Sequence, residues 1–294
     1  MKLNYLVEQH FHGAYGVNFN TASVDDILYL AHEIYKEGVG YIFPTLVTDT
    51  LDNIKAQIKV IKSALEKQTN DMANIAGIHL EGIFLNPAKC GIHDEKLFML
   101  PTVDNFRLIE DDFIKIITLA PELIPAGDDL FDYLCGKGVK IQAGHCVGGD
   151  LSLCNGVTHM YNAMAGVSHR GESTALSALV DDNLYTEIIA DGVHVSDNAL
   201  KLLFKSKPLD KILLVSDCLP CTHSNLSEFD FAGEKIYYDG LKATSADGVL
   251  AGSSMLLPDI IKVLHLKGLF NPKFIENSYI YHNLPFIGTY EFDI

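Results

Sequence analysis

The residues that could do chemistry are histidines and carboxylates standing at the ends of short apolar runs. The chain has 12 histidines. His10 and His12 form a His-x-His pair after Tyr5–Val7, and His79-Leu80-Glu81 closes the run from Ile75. His145 follows Val139–Gln142, and His159 follows Gly156–Thr158. Asp191 and His194 follow Glu187–Ala190, and Asp217 follows Ile212–Ser216. In an extended chain residues i and i+2 point the same way, so His10 and His12 can face one ion together, as can His79 and Glu81. Neutral imidazoles and carboxylates are the ligand set for zinc, iron, manganese and similar divalent ions. An ion on Glu81, His145 and His159 would leave a position for water and bring that water's pKa toward about 7. Asp217 could take the water's proton and pass it to a leaving group. His10 and His12 could hold a second ion, with Glu81 or the hydroxide bridging. Taken singly each feature has a plainer reading: a chance His-x-His, a hydrogen-bonded core histidine at His79, a turn-capping Asp217. Their recurrence at six of eight run ends is what points to a metal-dependent hydrolase.

The elements that must position these groups alternate along the chain. Short apolar runs are expected at Tyr5–Val7, Val39–Phe43, Ile75–Leu80, Ile114–Leu119, Val139–Gln142, Gly156–Thr158, Glu187–Ala190 and Ile212–Ser216. Helical patterns separate them. Ser23 reads as the N-cap of a helix through Leu28, Leu30, Ala31 and Ile34 that stops at Gly38. Leu51–Leu65 has Ile54, Ile58, Ile61 and Leu65 at helical spacing. Asp128–Cys135 is a short helix, and Ser253–His265 a last one with Pro258 in its first turns. Alternation of this kind implies a parallel sheet with crossover helices. Eight runs fit a closed α/β barrel, the (β/α)8 TIM barrel of metal-dependent hydrolases, whose active sites lie where the C-terminal strand ends converge. The expected organisation is a barrel over 1–265 and a C-terminal tail over 266–294 packing on it, without a sizeable second domain. Residues 220–250 read as a long loop or hairpin, and Asn271–Ile294 as apolar and aromatic without a pattern.

Composition bounds the partners. Of 294 residues 48% are hydrophobic and 20% charged, which excludes a disordered chain. Twenty-two basic against 38 acidic residues give a net charge of −16, with pI near 5.0. That argues against nucleic acid or an anionic membrane as partner, though not against a small anionic substrate held by local cations. No apolar run approaches 18 residues, and the N-terminal ten residues turn polar too soon for a signal peptide. Six cysteines in a chain of this length do not form a disulfide scaffold, so a reducing cytoplasm is expected.

With their neighbours, these residues resemble the N-acetylglucosamine-6-phosphate deacetylase family of the amidohydrolase superfamily. The matching stretches are Tyr41-Ile-Phe-Pro-Thr-Leu-Val-Thr48, Gly77-Ile-His-Leu-Glu-Gly-Ile-Phe-Leu-Asn-Pro87, Ala143-Gly-His145, Gly156-Val-Thr-His-Met-Tyr-Asn-Ala-Met164, Ile189-Ala-Asp-Gly-Val-His-Val195 and Leu250-Ala-Gly-Ser253. The resemblance implies hydrolysis of the acetamide of N-acetylglucosamine 6-phosphate, or a similar N-acetyl amino sugar, to the free amine and acetate. It implies Glu81, His145 and His159 as main metal ligands, His10 and His12 as ligands of a second ion, and Asp217 as catalytic acid and base. It further implies one or two divalent ions, zinc foremost with iron or manganese as alternatives. His93 and His194 match substrate-contacting histidines, and Asn162 and Ala163 a grip on the sugar phosphate. Arg170 matches an arginine that reaches a phosphate across a homodimer interface, its plainer reading being a surface salt bridge.

The departures fall on the substrate loops and on a companion domain. The β-sandwich usual in the family would have few residues here, since only nine precede His10. The family's Glu-Gly-Pro-Phe is Glu81-Gly-Ile-Phe84, and its His-Arg-Glu-Pro-Gly is His169-Arg-Gly-Glu-Ser173. Three other readings stand beside the deacetylase. One is a related barrel hydrolase acting on another amide or cyclic amide, for which Lys115 would be the bridging strand-four lysine. Another is a non-catalytic barrel that binds a sugar phosphate or serves as a partner subunit. The third is a redox role for Cys218-Leu-Pro-Cys221, a pair that reads otherwise as metal ligands or buried small hydrophobes.

Overall fold

The computed structural model describes all 294 residues, Met1–Ile294. Eight parallel strands make the core: β1 (Leu6–Phe11), β2 (Val39–Val47), β3 (Ile78–Glu81), β4 (Ile114–Leu119), β5 (Lys140–Ala143), β6 (Gly156–Val157), β7 (Tyr185–Ile188) and β8 (Ile212–Leu214). Each pairs with its sequence neighbour from β1 to β8. Two backbone hydrogen bonds join the ends of the series, Asp217 N to His10 O and His12 N to Cys218 O, both 2.8 Å. The sheet therefore curls into a (β/α)8 barrel. β2 is buried along its whole length, as a strand covered on both faces must be.

The helices form where their sequence patterns place them. α1 (Val24–Lys36) opens on Ser23, whose side chain accepts from Asp26 N while Asp26 caps in return, and it buries Ile27, Leu30, Ala31 and Ile34. α2 (Leu51–Leu65) starts at its Thr50 cap and buries Ile54, Ile58 and Ile61. α3 (Val103–Arg107), α4 (Leu130–Gly136), α5 (Thr174–Val180), α6 (Asp197–Ser206) and α7 (Leu257–Leu266) complete the outer ring, with only a 3-10 turn, Leu151–Leu153, after β5.

Two regions differ from the sequence expectation. Residues 220–250 are not a loop with one hairpin. They carry most of a four-stranded antiparallel sheet, β9 (Glu228–Phe231), β10 (Glu234–Tyr238), β11 (Ala243–Ser245) and β12 (Leu250–Gly252). Its small core of Phe231, Ile236 and Ala243 packs with Leu219 and Ile92. Residues 271–294 do have a pattern. Lys273–His282 forms α8, and Thr289–Glu291 pairs antiparallel with Lys2–Asn4. α8 buries Phe274, Ile275, Asn277, Ser278, Tyr279 and Tyr281, polar positions included, so no apolar stripe marks it. It lies across the N-terminal ends of the strands, with Asn277 Nδ2 donating to Leu209 O and Ile212 O (both 2.7 Å) and Tyr279 OH to Tyr5 O (2.7 Å). No helix is long and apolar enough to cross a membrane.

Candidate active site

The opposite, C-terminal face of the barrel gathers the histidines and carboxylates. His10 and His12 come from the end of β1, Glu81 from β3, His145, His159 and Asp217 from just past β5, β6 and β8, and all six are buried. His145, His159 and Asp217 have φ of 48°, 28° and 51°. Non-glycine residues seldom adopt this left-handed region, and such conformations concentrate at functional sites.

Glu81 sits at the centre. Its Oε1 lies 3.3 Å from His145 Nε2 and 3.0 Å from His159 Nε2. Its Oε2 lies 3.1 Å from the Nε2 of both His10 and His12. Asp217 Oδ1 is 3.0 Å from His12 Nε2 and 3.5 Å from His10 Nε2. The ligand atoms thus form two groups sharing Glu81, one of Glu81, His145 and His159 and the other of His10, His12, Glu81 and Asp217; a third close grouping, His10, His79 and Glu187, is occupied with hydrogen bonds of its own.

The protonation pattern shows what would fill them. His10 Nδ1 faces Glu187 Oε2 at 2.9 Å, His12 Nδ1 faces Thr45 O at 3.3 Å, and His145 Nδ1 faces Lys89 O at 2.8 Å. Carbonyls and carboxylates only accept, so each neutral ring keeps its proton on Nδ1. The Nε2 lone pairs then point at carboxylate oxygens, and His145 Nε2 at His159 Nε2 3.1 Å away. Buried acceptors facing acceptors are unfavourable unless positive charge lies between them. Glu81 Oε1 accordingly has no hydrogen-bond donor. Burial pulls the His10 and His12 pKa down, but the facing carboxylates more than reverse this and hold both above the ordinary histidine value. Separations of 3.0–3.5 Å are also those between neighbouring ligand atoms each about 2.0–2.2 Å from one ion, about 2.8–3.1 Å apart in octahedral and about 3.3–3.6 Å apart in tetrahedral coordination. The donor set and its spacing fit divalent metal ions.

A cavity of about 460 Å³ opens over this cluster. His93, Asn162, Ala163 and His194 all line it. His93 Nδ1 accepts from the Thr48 hydroxyl (2.9 Å) and backbone N–H (3.4 Å), which leaves its Nε2–H as a donor. His194 Nδ1 donates to Asp191 Oδ2 (2.7 Å), leaving Nε2 as an acceptor. Asn162 spends its amide on the turn itself, donating to His159 O and Met160 O. Arg170 is not brought in; it lies exposed on the loop between β6 and α5. Phe231, Leu250 and Ala251 of the antiparallel sheet roof the cavity.

At several residues the structure separates readings that the sequence leaves open. His79 does not join Glu81 on the ion cluster: its Nε2 meets Thr118 Oγ1 at 2.8 Å and its Nδ1 Gln9 O at 3.1 Å, so it is the hydrogen-bonded core histidine. Lys115 donates to Asp112 O (2.7 Å), away from the ions. Cys218 and Cys221 are buried and unbridged, and burial raises both thiols, Cys221 to about 12, which is the reverse of a redox-active thiolate. Two residues escaped notice. Glu187, fully buried in β7, holds His10. Lys89 is the one lysine or arginine lining the cavity. A carboxylate inside an apolar strand was the available signal for Glu187.

Known proteins resemble this chain in sequence and in fold. No protein-family model matches the chain. The N-acetylglucosamine-6-phosphate deacetylase of Bacillus subtilis (strain 168) is 29% identical over 260 residues, covering 84% of this chain and 65% of the relative. The N-acetylgalactosamine-6-phosphate deacetylase of Escherichia coli O157:H7 is 28% identical over 259 residues, covering 85% and 68%. Both relatives are named as deacetylases of N-acetyl amino-sugar phosphates. This chain spans about two thirds of their length. A solved structure of the Mycobacterium smegmatis N-acetyl-D-glucosamine-6-phosphate deacetylase, a point mutant in complex with N-acetyl-D-glucosamine-6-phosphate, superposes with a TM-score of 0.86 at 21% identity. It covers 98% of this chain and 79% of its own. The barrel is therefore shared with the deacetylase structures, the four-stranded roof included within the matched span.

Proposed function

We propose that this chain is a metal-dependent deacetylase that hydrolyses the acetamide of N-acetylglucosamine 6-phosphate, or a similar N-acetyl amino-sugar phosphate, to the amine and acetate. The observation that carries this reading is the Glu81 carboxylate shared between two histidine groups, with Asp217 beside it, at the floor of a sugar-sized cavity. Zinc is the ion assigned first, with iron or manganese as alternatives of similar ligand preference. Divalent ions there supply Lewis-acid polarisation of the amide carbonyl and lower the pKa of a water.

The remaining steps belong to side chains. Burial alone would favour a neutral Asp217, but His12 and His10 hold its carboxyl below the usual range, so it is ionised and able to accept a proton. Its place beside His10 and His12, in the group that shares Glu81 with the other, would let it take a proton from the attacking water and return it to the departing amine. The His93 Nε2–H and the His194 Nε2 lone pair face the cavity as donor and acceptor for sugar hydroxyls or the amide. Lys89 supplies positive charge for a phosphate in a chain whose net charge is −16. Arg170, exposed in the single chain, would be available to a second copy's substrate in a homodimer. The six unpaired cysteines suit the cytoplasm.

The test is metal content together with deacetylation of N-acetylglucosamine 6-phosphate and N-acetylgalactosamine 6-phosphate. Asp217→Asn should keep at least one ion per chain and lose roughly 10²–10⁴-fold in kcat. Wild-type protein that carries metal but releases acetate from neither sugar would overturn the substrate; a variant turning over near the wild-type rate would overturn the role of Asp217.

A further inference from the structure

A barrel interior of this kind is normally filled by branched apolar side chains in layers. Here it holds a polar column. Below the ion cluster, Glu187 Oε2 accepts from His10 Nδ1 (2.9 Å) and Glu187 Oε1 from Gln9 Nε2 (2.6 Å). Gln9 Oε1 in turn accepts from His282 Nε2 (2.9 Å), and His282 stays seated by stacking on Phe43 with ring centroids 4.2 Å apart. His282 is the last residue of α8, the helix lying across the other end of the barrel. Gln9, His10 and Glu187 are each 0% exposed. Polar groups this deep are costly unless every one is paired, and in this series each is.

The three rings with an oriented Nδ1 are not held alike. His12 and His145 are fixed by backbone carbonyls, whereas His10 is fixed by a carboxylate. A backbone carbonyl stays where the fold puts it. A glutamate side chain stays only where its second oxygen is tied, and that tie runs through Gln9 to α8. Burial pushes the His282 pKa down to about 3, so the ring enters the series neutral, as a donor through Nε2.

We propose that Glu187, Gln9 and His282 form a positioning relay through which the C-terminal helix sets the orientation of His10, and with it the affinity of the His10–His12 ion group. None of the three touches substrate or the ion. The inference rests on the reading that the cluster binds metal, and it makes α8 part of that site from the far end of the barrel. It also acts unevenly on the two ion groups: no ring of the Glu81–His145–His159 group is linked to α8, and Glu187 Oε2 reaches that group only by accepting from the His159 backbone N–H (3.3 Å), so the His10–His12 group should respond more.

The experiment is zinc titration against a competing chelator, which resolves tight and weak ions, combined with the visible absorption of the cobalt(II)-loaded protein. A carboxylate partner of a ligating histidine is worth about 10–100-fold in metal affinity. Glu187→Gln should therefore weaken one of two ions by about that factor and the other distinctly less, with a changed cobalt spectrum. His282→Ala should weaken the same ion in the same direction, and His282→Gln, which keeps a donor, should restore it. Metal-free melting temperatures of the His282 variants separate relay from packing: the relay requires Ala and Gln to differ in ion affinity more than in stability. Equal weakening of both ions, or no rescue by Gln, would overturn the relay while leaving the metal reading intact. Wild-type protein that binds no zinc would overturn the metal reading itself.

Discussion

At the scale of single residues the site is built from side chains whose second atoms are already engaged. His10, His12 and His145 each spend one ring nitrogen on the fold or on a neighbour and aim the other at the cluster, while Glu81 aims both oxygens at it. Lys89 belongs to the same logic. Its backbone carbonyl holds His145, so the loop presenting its ammonium to the cavity is locked to a candidate metal ligand. A charge-assisted contact to a phosphate contributes about 1.5–3 kcal/mol, which corresponds to roughly 10–100-fold in binding. Lys89→Met should accordingly raise KM for the phosphorylated sugar by about that factor, with little change for the unphosphorylated one, and Lys89→Arg should recover most of it. Steady-state kinetics on the two sugars measures this directly. An equal rise on both would mean that Lys89 shapes the loop and does not read the phosphate.

At the scale of elements, what was legible in the sequence followed period and caps. The Leu51–Leu65 helix, the Ser23 cap and all eight barrel strands rest on local signals, and the ligand pair His10–His12 rests on simple alternation. Alternation fails one residue away. The β1–β2 register slips between Glu8 and Phe11, and a bulge of this kind re-aims side chains, so Gln9 reaches the same Glu187 carboxylate as His10. The interior relay was hidden for that reason. α8 was hidden because it is buried nearly all round. Strand β3 was predicted to aim His79 with Glu81 at the ions, yet the ring sits one layer deeper, where Thr118 receives it.

The turn after β3 carries a further consequence of local geometry. The related enzymes' Glu-Gly-Pro-Phe has isoleucine at position 83 here. Ile83 has φ of 59°, and its N–H donates to Thr48 Oγ1 at 3.1 Å, the hydroxyl that orients His93. Proline can neither adopt that φ nor donate. Ile83→Pro, although it installs the residue of the family that the sequence resembles, should destabilise the chain by more than about 1 kcal/mol and raise KM through a misplaced His93. Thermal melting with KM for the phosphorylated sugar checks both. Unchanged values would show that the turn re-forms around proline without using the Thr48 hydroxyl.

At the scale of the whole molecule, folding brings two carboxylates and four histidines together at the top of the barrel, in a chain already carrying sixteen excess negative charges. An unfolded chain has no such cluster, so ions that bind only the native state stabilise it by mass action, about 4 kcal/mol when free metal stands at 1,000 times Kd. A chain somewhat above 250 residues shifts by roughly 2–4 °C per kcal/mol, so exhaustive chelation should lower the melting temperature by roughly 8–16 °C. Zinc should restore it, and Glu81→Gln, which removes charge from both ion groups at once, should abolish most of the recovery. The sign follows from the lone pairs: without ions, the cluster can relieve its facing acceptors only by taking up protons, so the chelated protein should also lose stability faster than the loaded one as pH rises above the histidine range. Melting curves of loaded, chelated and reloaded protein at two pH values decide it. A chelated protein that melts where the loaded one does, at both pH values, would mean that protons and not metal ions hold the Glu81 cluster together.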